Sequence, residues 1–91
     1  MAHYVGVFVS VEAGGWTAMF PDIPECLVDG PTLDLTVFRA ANALAEVNQL
    51  SNGSIPAPRD LAAIRADGEW AWTRGIDWSH AIVAMIPLRG V

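Results

Sequence analysis

One thiol, two imidazoles and ten carboxylates are the side chains from which this chain would have to build a catalytic or metal site. Cys26 becomes a nucleophile only as a thiolate beside a base. The two bases on offer, His3 and His80, fall at the starts of two expected strands; if these run parallel as neighbours, the imidazoles are brought near each other. Two His and one Cys show none of the short spacings that metal ligands use. Gly14-Gly15 is too short to cradle a phosphate. These residue types predict no catalytic residues, no metal and no cofactor, and they turn attention to recognition. The contact candidates are Asp22, Glu25 and Asp29 around a proline-rich corner, with Trp70 and Trp72 as aromatic anchors.

The elements that must hold these residues can be read in order. His3 to Val11 alternates strictly, with His3, Val5, Val7, Val9 and Val11 on one face and Tyr4, Gly6, Phe8 and Ser10 on the other. It predicts a first strand. Glu12-Ala13-Gly14-Gly15 supplies a reversal into a second strand, Trp16 to Phe20. Phe20-Pro21-Asp22-Ile23-Pro24-Glu25-Cys26 then reads as a rigid corner, because each proline fixes φ and removes a donor. A short third strand, Cys26 to Val28, follows at the sheet edge. Thr32 is the expected N-cap of a helix running to about Leu50, with Asp34 in its first turn. Leu33, Val37, Ala40, Ala41, Leu44 and Val47 form its core stripe; Thr36, Arg39, Asn42, Glu46 and Gln49 lie opposite. Leu35 and Phe38 fit neither side. Ser51-Asn52-Gly53-Ser54 ends the helix, and Ile55-Pro56-Ala57-Pro58 leads into a short helix through Arg65. Residues 66–80 form an atypical connector that holds Trp70, Trp72 and Trp78. Ala81 to Leu88 is the last strand, and Pro87 argues that it lies at an edge or ends there. A right-handed, helix-containing crossover would set it parallel to the first strand, with the long helix over the valine face.

Phe20-Pro21-Asp22-Ile23-Pro24-x-Cys26, Gly30-Pro31-Thr32 and Ile55-Pro56-Ala57-Pro58 together resemble the HicB antitoxin family of type II toxin–antitoxin pairs. The likeness runs from about Tyr4 to Ala66 and again from Ala81 to Leu88. It implies an α+β fold, a βββαβ partial RNase H-like sheet with one long helix packed on one face, as a single HicB-like domain over residues 1–91. It further implies a stoichiometric inhibitor whose partner is a small, basic, mRNA-cleaving HicA-like toxin. Two departures stand out. Glu25 occupies the family's usual corner glycine, where a left-handed conformation would cost a non-glycine residue on the order of 1 kcal/mol. Family members also usually continue into an operator-binding module, and this sequence ends at Arg89-Gly90-Val91 before one.

An RNase H-like sheet raises the question of nuclease chemistry. That chemistry needs carboxylates converging on two metals, with one acid at the middle of the first strand. Gly6-Val7-Phe8 stands there instead, and Ala81 to Leu88 carries no acid. Glu12 and Glu46 remain as candidates and read as solvated surface acids.

Composition narrows the partners. A net charge of −5, with five cations scattered as Arg39, Arg59, Arg65, Arg74 and Arg89, predicts no direct nucleic-acid binding, since a phosphate-tracking surface needs clustered cations. Acidity suits a basic protein partner. No apolar run approaches the ~18 residues of a membrane span. The N-terminus lacks a signal-peptide pattern, and one cysteine allows no intrachain disulfide, so a cytoplasmic location is expected. Tyr4, Phe8, Leu35 and Phe38 leave apolar surface that predicts a homo-oligomer, at least a dimer. Trp70 and Trp72, on one face of an extended segment, either anchor an interface or fold back over Leu35 and Phe38. The readings are therefore a HicB-like antitoxin domain or a stand-alone homo-oligomeric scaffold or ligand-binding module, with residual nuclease activity a third.

Overall fold

The computed structural model describes residues 2–89; Met1 and the tail residues Gly90 and Val91 lie outside the described residues. Four strands, β1 (His3–Ser10), β2 (Trp16–Phe20), β3 (Ile23–Gly30) and β4 (Ile82–Pro87), form one sheet in the order β3-β2-β1-β4. Every neighbouring pair is antiparallel. Between β3 and β4 come α1 (Leu33–Leu50), α2 (Leu61–Ala66), α3 (Gly68–Arg74) and a 3-10 turn (Trp78–His80). The β1–β2 reversal closes with Val11 N–H donating to the Gly15 carbonyl at 3.1 Å and Gly14 N–H to that of Val11 at 3.0 Å. Gly14 and Gly15 take φ of 90° and 96°, values that glycine adopts without steric cost.

The sheet is covered on both sides, and the assignment of the two faces corrects the sequence expectation. The long helix lies on the Tyr4 and Phe8 face, where Phe8, Ala18, Phe20, Cys26 and Ile86 meet Ala40, Ala41 and Leu44. Val5 and Val7 face the other way and are buried under Ile64, Leu61, Trp70, Ile76 and Trp78. Volume complementarity explains the choice. Large sheet aromatics fill the space under a helix stripe of alanines, while short valines leave a shallow surface that tryptophans fill well. Trp70 and Trp78 pack with ring centroids 5.9 Å apart, and the Arg65 guanidinium sits 5.5 Å above Trp78.

This two-sided cover also reverses the expected direction of the last strand. From the end of β3 the chain descends along α1 on one face, then climbs back through α2 and α3 on the other. It enters β4 at the Phe8 end, pairing Phe8 with Ile82 and His3 with Pro87, so β4 is antiparallel to β1 rather than parallel. His3 and His80 therefore lie toward opposite ends of the sheet.

Other boundaries shift for local reasons. β3 is longer than the expected Cys26 to Val28 and takes in Pro24 and Glu25. Its position at the sheet edge tolerates a proline, and a register shift at Met19/Phe20 absorbs the extra residue. Glu25 is thus in extended backbone, and Asn52 is the one non-glycine residue with positive φ among the described residues; the left-handed cost at Glu25 does not arise. Thr32 caps α1 as expected, its Oγ1 accepting from Leu35 N–H at 3.2 Å. Thr36 does not join the polar stripe: it is fully buried, and its hydroxyl donates to the Thr32 carbonyl at 2.7 Å. α2 begins at Leu61 rather than near Pro58, because Asp60 caps it by accepting from Ala63 N–H at 2.8 Å. Residues 66–80, the atypical connector, contain α3 and the 3-10 turn. Tyr4 and Phe8, counted above as surplus apolar surface, are buried within the protomer, whereas Phe38 is 56% exposed.

Candidate functional site

The proline corner and the Ile55-Pro56-Ala57-Pro58 stretch, 29 residues apart at their nearest named ends by sequence, Cys26 and Ile55, meet as one joint. The Tyr4 hydroxyl donates to the Pro56 carbonyl. Arg59 N–H donates to Asp22 Oδ2 at 2.8 Å, its Nε donates to Oδ1, and its Nη1 reaches Asp67 Oδ2 at 3.3 Å. Asp67 in turn accepts from Trp70 N–H at 3.1 Å. These bonds join β1, the corner, the α1–α2 linker and the start of α3. The charges respond accordingly. The Asp22 carboxylate holds Arg59 above its ordinary value. The Trp70 N–H, and then Arg59, hold the Asp67 carboxyl below its own. Burial, and secondarily Asp22, raises Tyr4.

The five contact candidates are divided by this joint. The Asp22 side chain, 5% exposed, is an internal tie. Trp70 is half-buried against the valine face, and since it and Trp72 lie on a helix, about 200° of rotation separates them. Trp72 is 83% exposed. Glu25 and Asp29 are exposed on β3, and they flank Leu27. Strand alternation puts Glu25, Leu27 and Asp29 on the sheet face away from α1, the side on which α3 also lies. Leu27 was missed in the sequence because a three-residue third strand has too few alternating positions to reveal its outer face.

Asp29 is further organised by its neighbours. Thr17 Oγ1 donates to its Oδ1 at 2.9 Å, and Arg39 Nη1 donates to its carbonyl at 2.9 Å. A groove of about 450 Å³ opens beside these groups, with Trp16, Thr17, Asp29, Pro31 and Arg39 on its wall.

The groups capable of covalent or metal chemistry stand apart from one another. Cys26 is buried in the α1-face core, and burial, followed by the Glu25 carboxylate, pushes its thiol up to about 11. Glu12 and Glu46 are exposed, and no cluster of metal-ligating side chains occurs among the described residues. Asp77, Ser79 and His80 superficially resemble a catalytic triad. However, Ser79 Oγ (3.2 Å) and Asp77 Oδ2 (2.8 Å) both address the same nitrogen, His80 Nδ1. A relay needs the two ring nitrogens used separately, so the cluster is a cap on the 3-10 turn.

That cap predicts an acid-side effect. Hydrogen bonds from Ser79, and then His80, lower Asp77 from its ordinary 3.8 to about 2. A carboxyl depressed in the folded state stabilises above its unfolded pKa and loses that contribution as pH falls through the folded one. Asp77→Asn should therefore flatten the decline in stability between about pH 4 and pH 2 while leaving stability above pH 5 on a constant offset, as read by urea titration at each pH.

No protein-family model and no curated protein sequence matches the chain. Its fold does match a solved structure. A chain of a HicA3 and HicB3 toxin-antitoxin complex aligns with a TM-score of 0.63 and 22% identity, over 93% of this chain and 95% of that one. The likeness establishes a small α+β fold shared with that chain, a four-stranded antiparallel sheet with a long helix packed on it. No described helix is long and apolar enough to cross a membrane.

Proposed function

We propose that the chain is a HicB-like antitoxin domain that binds and inhibits a small basic HicA-type mRNA-cleaving toxin. The observation that carries this reading is the joint. The two proline motifs by which the sequence resembles HicB antitoxins are held together where Arg59, directly after the second, donates to Asp22 in the first, while Tyr4 of β1 donates to the Pro56 carbonyl. The fold match to a toxin–antitoxin chain supports a toxin–antitoxin role. Placement on the antitoxin side rests on the motifs and on a net charge of −5, the sign that accelerates encounter with a basic partner.

The proposed contact surface is Glu25, Leu27 and Asp29 on β3 with Trp72 on α3. Asp22 and Trp70 serve it indirectly, by fixing the corner and seating α3. Trp72→Ala should weaken toxin binding tenfold or more while changing stability by less than about 0.5 kcal/mol. Trp70→Ala should instead destabilise the fold by about 2 kcal/mol. Isothermal titration and thermal melting on the two variants separate these roles.

The deciding experiment is co-expression with the product of a short basic reading frame adjacent to the gene. Relief of growth arrest and co-purification are expected. If the protein neither binds that product nor relieves arrest, the antitoxin reading fails and the stand-alone scaffold takes its place.

A further inference from the structure

The two edges of the sheet are built differently, and the difference identifies a second interface. Leu88 N–H donates to the Ala2 carbonyl at 2.8 Å. With the register of Phe8 to Ile82 and His3 to Pro87, this makes the even-numbered residues of β4 the ones whose backbone groups point to β1. The backbone groups of Val83 and Met85 then point outward, as does the Pro87 carbonyl; the N–H that proline lacks would have been on the open side. The same parity holds across β1 and β2, where Val11 and Gly15 form a bonded pair. It leaves the Asp29 carbonyl on the outer edge of β3, where Arg39 caps it.

β3 is thus a blunted edge, with Pro24, a register shift, exposed Glu25 and Asp29, and a capped carbonyl. Of these devices β4 has only a proline, Pro87, at its last position. From Ala81 to Leu88 it carries no charge, and among the described residues nothing pairs with its outer side. Ile82 is 41% exposed and Met85 49%. α1 lies mainly over β3 and β2, leaving the β4 side of that face thinly covered.

We infer that the outer edge of β4 pairs with the β4 of a second copy, antiparallel about a two-fold axis at Ala84, to give one eight-stranded sheet. A strand edge with free donors and acceptors calls for another strand. In this register Val83 exchanges both backbone bonds with Met85 of the other copy, and Met85 with its Val83. On the α1 face Ile82 then stands against Ile86 of the other copy, and the small Ala84 against itself. Charge points to the same occupant. Two chains of −5 each repel, and β4 is where they can approach with no charged side chain from the strand itself. A toxin of opposite sign would gain nothing there. A six-residue strand spans only ~20 Å, too little on its own for the ~800 Å² per partner of a standard interface, so the dimer should be concentration-dependent.

The test is independent of the toxin. Sedimentation from low to high micromolar concentration should show a monomer–dimer equilibrium in the full chain. Met85→Pro removes an outward N–H but no bond to β1, so it should shift the equilibrium at least tenfold toward monomer with the circular dichroism of the fold retained. Ala84→Cys, with Cys26 changed to Ala, supplies a second readout. Across a non-bonded antiparallel pair the Cα atoms are ~4.5 Å apart, within disulfide range, so mild oxidation should give a covalent dimer, whereas Ile82→Cys should give little. A chain that stays monomeric throughout, or one in which Ile82→Cys cross-links as readily as Ala84→Cys, overturns the pairing. A folded Met85→Pro variant that dimerises like the unsubstituted chain does so as well.

Discussion

Replacing Arg59 with Ala is expected to destabilise the protein by about 3 kcal/mol, more than replacing its partner Asp22 with Ala does. The asymmetry follows from burial. The Asp22 side chain is 5% exposed and Arg59 is 38% exposed. Removing the guanidinium leaves a carboxylate in the corner with only the residue-59 N–H to satisfy it. Removing the carboxylate instead frees a guanidinium that can turn to water and keep Asp67. The expected cost for Asp22→Ala is therefore about 1.5 kcal/mol, the scale of lost charge-assisted hydrogen bonds. In a domain of this size 3 kcal/mol corresponds to a fall in Tm of roughly 12 °C or more. Denaturant titration of both variants measures the difference, and equal losses would mean that the corner carboxylate is hydrated in solution.

Gly30→Ala is the second large effect, at about 2–3 kcal/mol. Gly30 ends β3 directly beneath the first turn of α1. A methyl group there would collide with Thr36 Oγ1 and stand 3.1 Å from the Thr36 Cα and N atoms. The hydroxyl cannot easily yield, being buried and bonded to the Thr32 carbonyl. Thr36→Ala alone should cost about 1 kcal/mol for that bond. The double variant should be less destabilised than the sum of the two singles by at least 1 kcal/mol, because the same space is contested. Additivity within about 0.5 kcal/mol would show that strand and helix are not in contact at this point.

The elements of this fold were far more legible in the sequence than their arrangement in space. The alternation of β1, the bounds of β2, the Thr32 cap and the end of α1 at Leu50 all follow from local pattern. The faces did not. Valines and aromatics alternate along β1 so that either side satisfies a core, and only the volumes of the covering groups, alanines from α1 and tryptophans from residues 66–80, decide between them. Trp70 and Trp78 look alike in sequence to Trp72; it takes the helical phase of α3 to separate core from surface. Asp22 was legible as a charged residue at a corner, but its partner Arg59 is 37 positions away, and no local signal couples them. Glu25 and Asp29 were placed on the surface correctly because strand-edge acids have little alternative.

The alternation of backbone bonding along β1 has a consequence for the order in which the sheet is made. Its odd-numbered amides at Val7 and Val9 face β2 across a tight reversal. Its even-numbered ones, at Tyr4, Gly6 and Phe8, face a strand that begins at Ile82. Closing the short loop costs far less entropy than closing the long one, and local pairings form sooner. Neighbouring amides of a single strand thus belong to two stages of folding, one belonging to a hairpin that needs only the first twenty residues and the other waiting for nearly the whole chain.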